Sequence, residues 1–104
     1  MSNHIRRALE VLARTGWTKH AFTDDGGRHC LQGALYDAYG LCPDRVTGEL
    51  AEDVRLVNQT IEEQYPERFG AVGVSRFNDH PDTTLEDVVR VLEKAAVRKD
   101  ELLN

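Results

Sequence analysis

The chain has 104 residues, 40% of them hydrophobic, 30% charged and 7% aromatic, and its 13 Lys and Arg against 18 Asp and Glu leave a net charge of -5. That length fits one small domain with a single core, and the composition is globular rather than fibrous or disordered. The acidic balance argues against a protein built to neutralise nucleic-acid phosphate, and no apolar run approaches the roughly 18 residues of a membrane span.

Four segments carry helical periodicity. Ile5, Ala8, Leu9, Leu12 and Ala13 share one helix face, with Asn3 placed to cap the start and Gly16 to end it in a left-handed conformation. Between Trp17 and Cys30 the run Asp24-Asp25-Gly26-Gly27 predicts a tight turn. Its flanks, 17–23 and 28–31, could pair as a short hairpin packed on the helices. Leu31, Ala34, Leu35, Ala38 and Tyr39 repeat the helical spacing, and Gly40 supplies the stop. A third stripe, Leu50, Val54, Val57, Ile61 and Tyr65, closes at Pro66, which cannot continue a helix comfortably. Residues 71–77 alternate Val72 and Val74 against Gly73 and Ser75, an extended piece that would form a small sheet with the Trp17 segment. The last stripe is Leu85, Val88, Val89, Leu92, Ala95 and Ala96, entered through Thr83 and Glu86 as a reciprocal capping box. The expected architecture is mainly α: a compact four-helix single domain over 1–104, its core at about 4–97, with a short β-hairpin or small sheet between helices one and two. Residues 98–104 form a tail that extends the last helix, frays or docks.

Four motifs recur in order: Gly16-Trp17, Cys30-Leu31-Gln32-Gly33-Ala34-Leu35, Phe77-Asn78-Asp79 and Thr84-Leu85-Glu86-Asp87-Val88-Val89. Together they resemble an uncharacterised family of small proteins of actinobacteria, other bacteria and bacteriophages. That family runs Gly-Trp, Cys-x-x-Gly-Ala-Leu, aromatic-Asn-Asp and a Thr-led final helix. Phe77 stands where the family often carries Trp, which keeps the aromatic role. The resemblance spans about 5–96 and implies a shared fold, with no function attached.

Cys30 is the residue with the most chemical potential. It stands at the start of helix two, where unpaired N–H groups and the helix dipole favour a thiolate. With His80 as base and Asn78 or Asp79 orienting it, Cys30 would outline a papain-type hydrolase or transferase. The plainer reading is a small buried hydrophobe beside Gly33 and Ala34. Similarly, 77–83 reads as an elaborate helix entry, with Asn78 and Asp79 bonding turn backbone, Pro81 fixing φ and Thr83 capping. The indole N–H of Trp17 needs a partner if buried, and a loop carbonyl or Asp79 is the natural one.

Other chemistries find less support. His29, Cys30, Cys42, Asp79 and His80 include metal-ligand types, but none has zinc-site spacing, and no cofactor is expected. With two cysteines and no signal-peptide layout at Met1-Ser2-Asn3-His4, a reducing cytoplasm is the expected compartment and a Cys30–Cys42 disulfide is not. Glu62 and Glu63 point about 100° apart on a helix and cannot share a proton. Gly26, Gly27, Gly70 and Gly73 make no phosphate loop. Arg6 and Arg14 fall two turns apart and could form a basic strip.

Two functions follow. The first is a non-enzymatic protein-binding or regulatory accessory protein with a protein partner. Its binding surface would draw on Asp24, Asp25, Arg28, His29, Asn78, Asp79 and His80, or it would form a homodimer through Val11, Val46, Leu56, Val91 and Val97. The second is the Cys30-dependent enzyme.

Overall fold

The structure, a computed structural model, describes residues 3–21, 23–40, 48–69 and 73–103. Among them are six helices: α1 His4–Thr15, α2 Leu31–Ala38, α3 Gly48–Gln64, α4 Pro66–Phe69, α5 Val74–Asp79 and α6 Leu85–Leu103. The four predicted stripes lie on α1, α2, α3 and α6. Asn3 caps α1 as expected, accepting from the N–H of Ile5 at 3.0 Å and Arg6 at 3.4 Å. Gly16 ends it at φ +89°, its N–H donating to the Leu12 carbonyl.

The long helix α6 is the organising element. It runs antiparallel to α1, with Asn3 Nδ2 donating at 2.8 Å to both the Ala96 carbonyl and Asp100 Oδ1, while Leu12 and Ala13 lie across a groove from Leu85 and Val89. It also runs antiparallel to α3, with Lys99 beside Asp53 and Arg90 beside Tyr65. Ile5, Leu31, Leu35, Leu50, Val57, Ile61, Phe77, Val88, Val91 and Leu92 are fully enclosed. Each such side chain contributes about 1.5–3 kcal/mol of burial, so the stripes jointly hold the helices together.

Several expectations need correction. Residues 74–77 are helical, not extended, while Ala71 and Val72 lie outside the described residues. The helix is possible because Gly73 turns the chain at φ +70°, with a Cβ there colliding with the Asn58 amide, so glycine alone fits. Its alternation of valines was too short to separate strand from buried helix. The third helix does end before Pro66, at Gln64, and Pro66 then opens α4 as its first residue, where a missing N–H costs nothing. The hairpin reduces, among the described residues, to two isolated bridges, Trp17 with His29 and Thr23 with His29. The capping box sits one residue later than predicted: Thr84 Oγ1 accepts from the Asp87 N–H at 3.3 Å, and Asp87 Oδ2 accepts from the Thr84 N–H at 3.2 Å. Thr83 is buried, its N–H donating to the His80 carbonyl.

The segment 98–103 continues α6 and is tied on both sides. Arg98 bonds Thr60 Oγ1 at 3.2 Å and pairs with Glu63, Lys99 pairs with Asp53, and Asp100 pairs with Arg6. Arg14 lies 3.7 Å from Asp37, so Arg6 and Arg14 are each beside a carboxylate rather than forming a free strip. Val11 and Val91, expected off the main stripes, are core residues; Leu56 is half-buried, Val97 is exposed, and Val46 lies outside the described residues.

Candidate functional site

Asn78 joins the loops at the start of α2. It is buried at the end of α5, and its Oδ1 accepts from Trp17 Nε1 at 2.7 Å and from the Leu31 N–H at 3.0 Å. Its Nδ2 donates to the Thr18 carbonyl at 3.1 Å and to Asp79 Oδ1 at 3.0 Å. One amide thus satisfies an indole, an otherwise orphaned helix N–H and a loop carbonyl. The indole partner is Asn78, not the loop carbonyl or Asp79 expected from sequence.

Asp79 Oδ1 also accepts the His20 N–H at 2.8 Å, and its Oδ2 lies 3.6 Å from His20 Nδ1. His20 has φ +68°, unusual for a residue with a Cβ, and the Asp79 carboxylate holds it there. Lys19 Nζ donates to the His80 carbonyl at 2.7 Å and lies 5.5 Å from the Trp17 ring centre, near enough for a cation–π contact.

Cys30 is the N-cap of α2, its Sγ accepting from the Gly33 N–H at 3.2 Å. Only 8% of the residue is exposed. Burial pushes the thiol above its ordinary pKa, outweighing the backbone N–H bonds that favour the thiolate, and the Asp79 carboxylate pushes it the same way. A pocket of about 160 Å³ is lined by His20, Ala21, Cys30, Ser75, Asn78 and Asp79. The structure therefore brings Cys30, Asn78 and Asp79 to one pocket. His20, which the sequence did not single out, lines that pocket beside Asp79, brought there by a left-handed backbone conformation that sequence spacing does not reveal. His80 itself turns inward on its loop, Nδ1 accepting from the Asp82 N–H at 3.1 Å.

The remaining candidates mostly brace their own turn. Asp24 Oδ1 accepts from the N–H of Gly26 and Arg28, and its Oδ2 takes Arg28 Nε at 2.7 Å. Bonds from Arg28, led by its backbone N–H, hold the Asp24 carboxyl below its usual range. His29 Nδ1 lies 2.8 Å from Thr23 Oγ1, and Asp25 is exposed. Cys42 lies outside the described residues; among those described, no group of three or more His, Cys, Asp or Glu is placed to hold a metal.

A second feature lies between α1 and α6. Leu9, Leu12 and Ala13 from α1 and Leu85, Val89 and Glu93 from α6 line an open groove of about 390 Å³. Leu85 is 43% exposed. Periodicity assigned Leu9, Ala13, Leu85 and Val89 to the core, and the structure leaves them at its edge. A stripe wider than the face a helix can bury is the one sequence signal of such a groove.

The model of a family of unknown function (DUF6197) matches residues 1–98 of the chain. No curated protein and no solved structure matches it. No helix among the described residues is long and apolar enough to cross a membrane.

Proposed function

Because the chain belongs to this family of unknown function, its role is read from its surfaces, and we propose that it is a non-enzymatic, protein-binding accessory protein of a bacterium or bacteriophage. The observation that carries this reading is the α1–α6 groove, where apolar side chains from two helices stay open to solvent. By contrast, the polar residues that suggested chemistry bond one another: Asn78 uses both ends of its amide, and Asp24 and Asp79 hold backbone N–H groups. Such a partition, polar loops inward and apolar groove outward, suits recognition of another protein.

Affinity capture from bacterial lysate tests it with three proteins: wild type, a Leu85→Asp/Val89→Asp variant and Cys30→Ser. Partners held by wild type and Cys30→Ser are expected to be lost from the groove variant, with helix content unchanged by circular dichroism. Capture that ignores the groove substitutions, or that disappears with Cys30→Ser, would overturn the reading.

A thiol-dependent hydrolase or transferase has one observation in its favour, the convergence of Cys30, His20 and Asp79 on one pocket. The raised thiol pKa works against it. Iodoacetamide labelling at neutral pH is expected to be slow in the folded protein and to accelerate on unfolding. Labelling faster than that of a free cysteine would favour the enzyme.

A further inference from the structure

We infer that residues 19–21 form a strap that opens over the Cys30 pocket, pinned at both ends to the strand-like stretch around His29 and clasped at its middle by Asp79. The inference goes beyond the docking reading and does not depend on it, because the strap shares no residue with the α1–α6 groove.

Both pins are backbone pairings. On one side the Thr18 N–H donates to the His29 carbonyl at 3.0 Å and the His29 N–H to the Gly16 carbonyl at 3.1 Å. On the other, Thr23 bridges to His29 and the Asp24 N–H donates to the Arg28 carbonyl at 2.9 Å. Between them, no backbone–backbone bond joins residues 19–21 to any other described residue. The stretch is held instead by groups at the end of α5: Asp79 Oδ1 takes the His20 N–H, and Lys19 Nζ reaches the His80 carbonyl. Asn78 Nδ2 steadies the same Asp79 oxygen at 3.0 Å and is itself buried, so the clasp is fixed to the core while the strap is not.

His20 is the one non-glycine residue at positive φ among the described residues. The clasp therefore acts against a backbone preference, and each opening lets His20 return to an ordinary conformation. His20 and Ala21 are exposed outward, and both line the pocket that holds Cys30. A short segment with little buried surface, held by a few exposed bonds, opens ahead of the rest of a fold. Here that opening uncovers the thiol, so the strap sets how often Cys30 meets solvent.

The test measures, on the full chain from zero to sub-denaturing urea, hydrogen exchange at the residue 20 amide and alkylation of Cys30 by iodoacetamide, located by peptide mass spectrometry. Both are expected to proceed through one opening and to change little with urea, because so short a segment exposes little surface. His20→Val suits the left-handed backbone least and should speed both roughly tenfold, whereas His20→Gly should slow exchange at residue 20 roughly fivefold. Neither substitution alters Asp79, Asn78 or Cys30. Rates that climb steeply with urea, as global unfolding requires, overturn the strap, and so does Cys30 alkylation that ignores His20→Val while exchange at residue 20 responds. If His20→Val does not fold, the urea dependence of the wild type and the exchange of His20→Gly decide the matter, and exchange left unslowed by glycine counts against the strap. None of these results bears on capture through the groove.

Discussion

Replacing Asn78 with Ala is expected to destabilise the fold by about 3 kcal/mol or more, because each buried group left without a hydrogen-bond partner costs roughly 1–3 kcal/mol. Three such groups are created at once: the Trp17 indole N–H, the Leu31 backbone N–H and the Thr18 carbonyl. The loss falls at the start of α2, where the Leu31 N–H has no helical carbonyl to turn to. Trp17 is the single tryptophan of the chain, so its emission reports the damage directly in a urea titration. Asn78→Asp should also destabilise: it keeps the two acceptor bonds but forfeits both donors and brings a second carboxylate against Asp79. A cost under 1 kcal/mol for Asn78→Ala would show that the amide is ornamental and that water replaces it.

The second large effect is expected at Lys99. Its Nζ lies 2.9 Å from Asp53 Oδ1, the Asp53 side chain is wholly enclosed and that of Lys99 is only 14% exposed. Asp53 Oδ2 also accepts from the Tyr39 hydroxyl. Burial, reinforced by that bond, holds the phenol protonated far above its usual range. Lys99→Met removes the counter-charge and strands a carboxylate, a change that costs about 3–5 kcal/mol in comparable buried pairs. Adding Asp53→Asn should restore much of that loss, since the neutral amide still accepts from Tyr39. Chemical denaturation of the four proteins of this cycle measures the coupling. Equal and additive losses from the two single substitutions would show that the two charges do not interact.

Most of the helical frame was legible in the residues. Asn3 and Gly16 carried the boundaries of α1 through their own chemistry, and the apolar spacing located the long helices because a period of 3.6 residues suits a helix and not a strand. The failures share a cause. Whether 74–77 is strand or helix, whether Thr83 or Thr84 caps α6, and whether His20 or His80 meets Asp79 each depend on a neighbour distant in sequence. Asn58 fixes Gly73, burial takes Thr83 out of the cap, and the Asp79 carboxylate fixes His20. The site was half visible. Cys30, Asn78 and Asp79 were picked out by residue type and by their places at helix ends, but the identity of the Trp17 partner and the open groove were not. A groove is what remains when two wide stripes pack imperfectly, and a single helix read alone cannot show that remainder.

The side-by-side placement of α1 and α6 has a consequence for biosynthesis. α1 is synthesised before α2 and α3, yet its permanent neighbour α6, from Leu85 through Asp100, follows only after them. Until the α6 segment has been made, the α1 face that carries Ile5, Ala8 and Leu12 has α2 as its one main neighbour, so this body closes only once α6 is available.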